Sequence, residues 1–250
     1  MKKEKFKEIL LKGLRVFEES LFPEFRCIGC GEELQNSTHN VCPDCLSLID
    51  FHDGNICTKC GAEIEKGQTV CESCENKEYS FDGAFSVCEY GEISGRLVKS
   101  LKYNGNKYVA KHLAEFMADY YFSRNIKADV VTFVPQSTKG FKLKGFNHAE
   151  LIASEFAKIV KLPLVATLKR VKETPNQASL PRSMRETNLK GAIDVSSEID
   201  LSGKTVLIID DVFTTGSTAN ECSFVLRNLN PKKIYILAFT KTTDPNLLGA

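Results

Sequence analysis

Two groups of residues in this 250-residue chain have the types and spacings that do chemistry. Eight of its ten cysteines fall between Cys27 and Cys74 as four Cys-x-x-Cys pairs: Cys27 with Cys30, Cys42 with Cys45, Cys57 with Cys60, and Cys71 with Cys74. Two intervening residues form a tight knuckle that aims both sulfurs at one point, and two knuckles complete a tetrahedral thiolate site for Zn2+. Eleven residues separate Cys30 from Cys42 and ten separate Cys60 from Cys71, enough for a short hairpin that returns the second knuckle to the first. Gly31 and Gly61 follow the first knuckle of each half, where such turns often need a positive φ. Disulfides are the competing reading, disfavoured by the spacing and by the lack of a secretory signal. Sequential pairing, with Cys27, Cys30, Cys42 and Cys45 on one ion and Cys57, Cys60, Cys71 and Cys74 on another, is preferred to interleaving. Four thiolates leave no open coordination position, so these ions are expected to be structural. His39 and His52 lie nearby and read as surface residues rather than ligands.

The second group begins where a buried-strand pattern, Lys204 to Ile209, runs into Asp210-Asp211-Val212-Phe213-Thr214-Thr215-Gly216-Ser217-Thr218 before a helical run. In open α/β sheets such a strand-to-helix turn is where ligands bind. Thr214 to Thr218 offer hydroxyls and backbone N–H groups, Gly216 lets the backbone come close, and the helix presents its positive end to an anion. Without a Gly-Lys-Ser/Thr ending, this is not the nucleoside triphosphate loop. Two carboxylates beside a phosphate cradle would repel the ligand unless they faced hydroxyls or a metal. A ribose 5-phosphate reconciles the two, because its 2′ and 3′ hydroxyls donate to Asp210 and Asp211 while Mg2+ balances the remaining charge.

The elements that must hold these residues follow from hydrophobic periodicity. Strands are predicted at Ala84 to Tyr90, Val130 to Val134, Leu168 to Val171, Thr205 to Ile209 and Lys233 to Thr240. Helices are predicted at Ile93 to Tyr103, Lys107 to Phe122, Ala149 to Val160 and Ser217 to Asn228. The alternation gives an α/β fold with a mainly parallel sheet flanked by helices. Pro135 to Phe146 and Lys172 to Leu189 read as long loops, which in compact domains are often functional. The organisation expected is an amphipathic helix over residues 1–24, a double zinc-binding module over 25–78, and the α/β domain over 79–250.

Lys and Arg total 33 against 32 Asp and Glu, so no global field draws the chain to nucleic acid or anionic lipid. The first helix is amphipathic rather than spanning, and nothing later approaches a transmembrane run, so a soluble cytoplasmic protein without membrane insertion is expected. Cys88 and Cys222 read as small core residues and His112 as a helix-surface residue.

Leu207-Ile-Ile-Asp210-Asp211-Val-Phe-Thr214-Thr215-Gly216-Ser217-Thr218 resembles the phosphoribosyl diphosphate-binding motif of type I phosphoribosyltransferases. Together with the cysteine pairs, Leu101-Lys102-Tyr103, Lys144-Gly145-Phe146-Asn147-His148-Ala149-Glu150-Leu151 and Thr174-Pro175-Asn176-Gln177-Ala178-Ser179-Leu180 resemble the ComF family, named for competence protein F. Arg185, Asn188 and Gly191-Ala192 extend the likeness over nearly the whole chain. Where family members usually carry Arg-Gly-Phe-Asn-Gln, this chain has Lys144-Gly145-Phe146-Asn147-His148.

The resemblance implies a double zinc ribbon joined to a type I phosphoribosyltransferase domain, linked to uptake of single-stranded DNA in natural transformation. Asp210 and Asp211 would hold the ribose hydroxyls, and Thr214, Thr215, Gly216, Ser217 and Thr218 the 5-phosphate. The loop from Val134 follows a buried strand as the pyrophosphate loop does, so Lys139, Lys142 and Lys144 are placed against the diphosphate, with a solvated basic loop as the alternative. Thr174 to Arg185 is a candidate lid. Asn147 with Glu150 is a helix-capping arrangement, and capping and ligand roles for Asn147 both stand. Three functions are compatible with these residues. One is a phosphoribosyltransferase with an unknown acceptor. Another is a non-catalytic adaptor for single-stranded DNA and DNA-uptake proteins, with a groove drawn from Lys99, Lys102, Lys107, Lys111, Lys139, Lys142 and Lys144. The third is a sensor of phosphoribosyl diphosphate.

Overall fold

The computed structural model describes residues 26–34, 39–104, 107–137, 140–141, 145–172, 190–196 and 199–242. The helix expected over 1–24, the residues Lys139, Lys142 and Lys144, and the segment Thr174 to Arg185 lie outside them. The chain divides into two compact units between Leu48 and Ile49.

In the first unit a short antiparallel bridge, Arg26 to Glu33, closes the first knuckle, and Gly31 turns it at φ +80°. The second knuckle opens helix α1, Pro43–Ser47, whose N-cap is Cys42. Pro at the first turn costs no hydrogen bond, since that N–H has no helical partner.

The second unit is built on a four-stranded parallel sheet in the order β1-β6-β5-β2, from β1 (Gly83–Glu89), β2 (Val130–Phe133), β5 (Thr205–Phe213) and β6 (Lys233–Lys241). Strands covered on both faces must be apolar throughout. Val206 to Ile209 on β5 and Ile236 to Phe239 on β6 are fully buried. Flanking helices are α2 (Glu92–Asn104), α3 (Lys107–Ser123), α4 (His148–Val160) and α5 (Ser217–Leu226). Helix α4 packs on β2 and β5, and α3 packs on α4 and β6. The expected mainly parallel α/β sheet is thus present, with the helices where periodicity puts them. A separate antiparallel pair joins β3 (Leu168–Arg170) to β4 (Ile193–Val195). Periodicity marks β3 but not β4, which at three residues is too short for any period to show.

The second cysteine quartet belongs to the same unit as the sheet. β1 is an edge strand, and the chain just before Cys57 covers its free side. His52 N–H donates to Val87 O at 2.9 Å, Glu89 N–H donates to Asp50 O at 2.8 Å, and Phe51 bridges Cys88 in antiparallel sense. An uncovered edge would invite pairing with another chain. Gly61, at φ +72°, lies so close to β1 that a Cβ there would stand 2.8 Å from Ser86 N and 2.9 Å from Phe85 Cα.

Two histidines differ from their sequence reading. His52 is buried, its Nδ1 3.0 Å from Ser86 O and its Nε2 3.2 Å from Glu89, so it fastens the covering segment to β1. His112 is buried on α3, with Nδ1 2.7 Å from Glu115 and its ring edge-on to Tyr108. Each offsets the cost of burial with a specific polar contact, and a lone His in sequence cannot announce one. Cys88 and Cys222 are fully buried, and burial pushes both thiols up, as expected of core residues.

Candidate functional site

Each cysteine quartet gathers its four sulfurs within 4.8 Å of one another, Cys27, Cys30, Cys42 and Cys45 in one and Cys57, Cys60, Cys71 and Cys74 in the other. Backbone N–H groups point at the sulfurs: Gly29 N and Cys42 N donate to Cys27 Sγ at 3.4 and 3.2 Å, and Cys45 N donates to Cys42 Sγ at 3.4 Å. Burial opposes the Cys27 thiolate, but donation from Cys42, Cys30 and Gly29 outweighs it and lowers the thiol to about 7. Donors at Cys27 and Cys42 favour the thiolate form that ligands of Zn2+ take, while burial raises the thiols of Cys30 and Cys45, which a bound cation would offset. These two four-thiolate clusters therefore fit structural zinc, and none of the described cysteines is in a disulfide.

The phosphate-type turn lies between β5 and α5. β5 does not stop at Ile209 as periodicity implies but continues to Phe213, with Asp210 opposite Ala238 and Val212 opposite Thr240 on β6. The acid pair is therefore held by sheet hydrogen bonding rather than by a loop. Thr215 and Gly216 follow, with Gly216 at φ +80°, the left-handed conformation that a Cβ disfavours. A Cβ would also meet Phe213 Cζ at 2.8 Å and Tyr79 Cε1 at 3.1 Å. Gly216 is the N-cap of α5 and has no side chain to cap it, while Thr215 Oγ1 accepts from Ser217 N at 3.3 Å. Thr215 and Ser217 share a hydroxyl hydrogen bond of 2.6 Å, and Tyr79 donates to Thr215 O at 3.2 Å. Thr214, Ser217 and Thr218 are half-buried, so the rim of the turn is reachable from solvent.

The carboxylates have distinct surroundings. Asp211 is buried and pairs with Lys102 from the last turn of α2, Nζ to Oδ2 2.9 Å. Burial disfavours its charge, but Lys102, and beyond it His148 at the start of α4, hold Asp211 below the usual carboxylate range. Burial likewise opposes the Lys102 ammonium, which Asp211 more than restores, lifting it above the ordinary lysine value. Asp210 accepts from Asp211 N at 2.9 Å, yet burial and the neighbouring Asp211 charge push its carboxyl well above the usual range. Two carboxylates this close cannot both ionise freely.

Asn147 is buried, its Oδ1 accepting from Ala149 N at 3.1 Å and its Nδ2 donating to Val134 O at 3.0 Å. It caps α4 and ties that cap to the end of β2, which is the structural one of the two roles the sequence leaves open. The structure thus brings Asp210, Asp211, Thr214, Thr215, Gly216, Ser217 and Thr218 onto one strand-turn-helix unit, with Lys102 and His148 arriving from two other helices. Lys139 and Lys144 fall outside the described residues. Sequence reasoning counts Lys102 in a basic groove and leaves His148 without a role; burial of a lysine at a helix end has no local sign.

Residues 101–244 match the family described as Phosphoribosyl transferase domain, and residues 17–75 match the Double zinc ribbon domain. Competence protein F of Haemophilus influenzae is 29% identical over 224 residues, spanning 86% of this chain and 96% of that protein. DNA utilization protein YhgH of Salmonella typhimurium is 27% identical over 209 residues, spanning 81% and 91%. Among solved structures, a purine phosphoribosyltransferase from Pyrococcus horikoshii aligns over 52% of this chain and 80% of its own, at 19% identity and a TM-score of 0.35. Both halves of the resemblance drawn from the cysteine pairs and the Asp-Asp motif are met.

Proposed function

Because this chain belongs to the Phosphoribosyl transferase domain family, we propose that its β5–α5 unit binds phosphoribosyl diphosphate with Mg2+, and that it serves in the handling of single-stranded DNA during natural transformation. The observation that carries the binding reading is the placement of Asp210 and Asp211 at the end of a central strand, directly before a glycine-turned helix start. The turn takes the 5-phosphate through Thr214 to Thr218, and the acid pair takes the ribose hydroxyls. The names of the relatives, a competence protein and a DNA utilization protein, support the biological setting.

The reaction such a site would perform is displacement at ribose C1. A nitrogen nucleophile forms the new C1–N bond as the C1–O bond to diphosphate breaks and diphosphate departs. Mg2+ supplies charge neutralisation for that leaving group. The residues of this chain fix the sugar and the 5-phosphate, converting an encounter into an oriented complex.

Titration with phosphoribosyl diphosphate and Mg2+ tests binding, with an Asp210→Asn, Asp211→Asn variant as control. Saturable binding lost in the variant is expected; equal behaviour of the two proteins would sink the reading. Diphosphate release on adding candidate bases then separates an enzyme from a sensor. Salt-sensitive single-strand binding that survives the double change would instead favour an adaptor.

A further inference from the structure

The segment Glu75 to Asp82 leaves the second cysteine quartet and reaches β1 by way of the phosphate-type turn. One end of this strap is held at the thiol cluster. Cys74 is itself one of the four thiols, and Lys59, inside the opposite knuckle, donates to Cys74 O at 3.0 Å, Glu75 O at 3.2 Å and Lys77 O at 2.7 Å. The other end is fastened to α5 and the residue that follows it. Ser80 N donates to Asn220 Oδ1 at 2.6 Å, and Arg227 donates to Ser80 O and to Asp82 Oδ2, both at 2.8 Å. Between these anchors the half-buried Tyr79 donates to Thr215 O at 3.2 Å, and its ring lies so near Gly216 that a Cβ there would come within 3.1 Å of it. That ring stacks on Phe81 at 4.6 Å, and Phe81 meets Phe213 edge-on. A cavity of about 340 Å3 lined by Lys59, Lys77, Glu78, Tyr79 and Phe81 runs beside the strap, so its anchors rather than continuous packing fix its course.

Gly216 holds a positive φ and, as glycine, has the most conformational freedom to lose when an anion fixes the amides around it. Tyr79 supplies part of that ordering in advance, through its ring against Gly216 and its hydroxyl on the preceding carbonyl. The strap keeps Tyr79 in place while Cys74 is drawn to Cys57, Cys60 and Cys71. Four thiolates without a cation repel one another, and the carbonyl grip of Lys59 is built on the same cluster. Ordering that zinc imposes on the strap is not needed again when an anion enters the turn, and the reverse also holds. That is the condition for positive cooperativity between two ligands.

We propose that Tyr79 is a positioning residue that couples the second zinc cluster to the phosphate turn: zinc on Cys57, Cys60, Cys71 and Cys74 strengthens binding of the 5-phosphate, and the bound phosphate ester strengthens the hold on zinc. Tyr79 acts through Thr215 and Gly216 rather than on any reacting atom. The inference rests on the phosphoribosyl reading of the turn.

Two equilibrium titrations of the full chain test it, on wild type and on Tyr79→Phe, which keeps the ring and loses only the hydroxyl. The first measures affinity for phosphoribosyl diphosphate with Mg2+. The second withdraws zinc with a zinc-selective chelator, with and without saturating phosphoribosyl diphosphate and Mg2+, and reads occupancy at each cysteine as protection from alkylation. With ligand bound, wild type is expected to need about threefold more chelator to empty the second quartet, the scale of one neutral hydrogen bond. Tyr79→Phe is expected to bind the ligand more weakly by about the same factor and to lose most of the shift in zinc retention, since coupling between two ligands is reciprocal. Zinc taken up by the diphosphate itself would lower retention equally in both proteins and so does not mimic the expected difference. A coupling that ran only through overall folding stability would survive loss of the hydroxyl, so an equal shift in both proteins overturns the role of Tyr79. A wild type that binds the ligand with no change in zinc retention overturns the coupling alone. A wild type that does not bind phosphoribosyl diphosphate in the first titration refutes the reading of the turn, and the proposal with it.

Discussion

Lys102 Nζ stands 2.9 Å from Asp211 Oδ2, joining the last turn of α2 to the end of the central strand β5. Residues more than a hundred positions apart in the chain thereby share one charge state. Removing either partner leaves the other partly buried and uncompensated, which costs about 3 kcal/mol. Lys102→Met with Asp211→Asn is expected to cost less than the sum of the single changes, with a coupling of about 1–3 kcal/mol. Denaturant unfolding of the four proteins measures it, and additive losses would mean that the pair is not an energetic unit.

The two neighbouring acids pull stability in opposite directions with pH. Asp211 is held low, so its contribution is fully present above the unfolded carboxylate value of about 3.9 and is lost as pH falls through its lower folded value. Asp210 is held high, so from about pH 3.9 upward the folded chain keeps a proton that the unfolded chain has released, and stability declines until its raised folded value is passed. Asp210→Asn is therefore expected to melt higher than wild type, by a margin that widens as pH rises above about 4, since the amide never ionises. Asp211→Asn is expected to show the reverse trend. Melting temperatures across pH 3 to 8, roughly the span of these titrations, test both; parallel curves for wild type and Asp210→Asn would contradict the assignment.

Gly31 and Gly61 occupy the same position in the two cysteine repeats and both adopt positive φ, yet their surroundings differ. A Cβ on Gly31 meets nothing within 4 Å, whereas one on Gly61 meets the backbone of Phe85 and Ser86 below 3 Å. Gly31→Ala is expected to cost only the left-handed strain of about 1–2 kcal/mol. Gly61→Ala adds a clash with backbone that cannot rotate away, costing a further ~1–3 kcal/mol. Equal stability losses in the two variants would show that the close approach to β1 is unimportant.

Loss of a ligand from the second cluster should be felt in the sheet. Cys74→Ser removes one thiolate from the quartet whose flanking segment, Asp50 to His52, covers β1. The expected result is a loss of at least about 3 kcal/mol from this unit, or roughly 6–12 °C in melting temperature. Faster amide exchange at His52 and Glu89, the N–H donors of that contact, should accompany it. Unchanged protection along β1 would mean that the cluster and the strand are not coupled.

Much of this architecture is written locally. Residues Val206 to Ile209 and Ile236 to Phe239 are apolar without interruption, as strands buried on both faces must be. Asn147 and Glu150 mark the start of α4 because a helix terminus must satisfy its N–H groups nearby in sequence. The extension of β5 through Asp210 to Phe213 is not legible, because carboxylates argue against a strand interior and only pairing with Ala238 and Thr240 holds them there.

By itself the sequence determined the two thiolate quartets and the acid-pair and phosphate-turn motif, since each is a matter of residues a few positions apart on one short backbone path. The tertiary structure alone decided that Lys102 neutralises Asp211, that His52 and His112 are buried, and that Asp50 to His52 close the edge of β1. Those contacts join distant segments, and their energies depend on burial and charge at the meeting point, which no local pattern encodes.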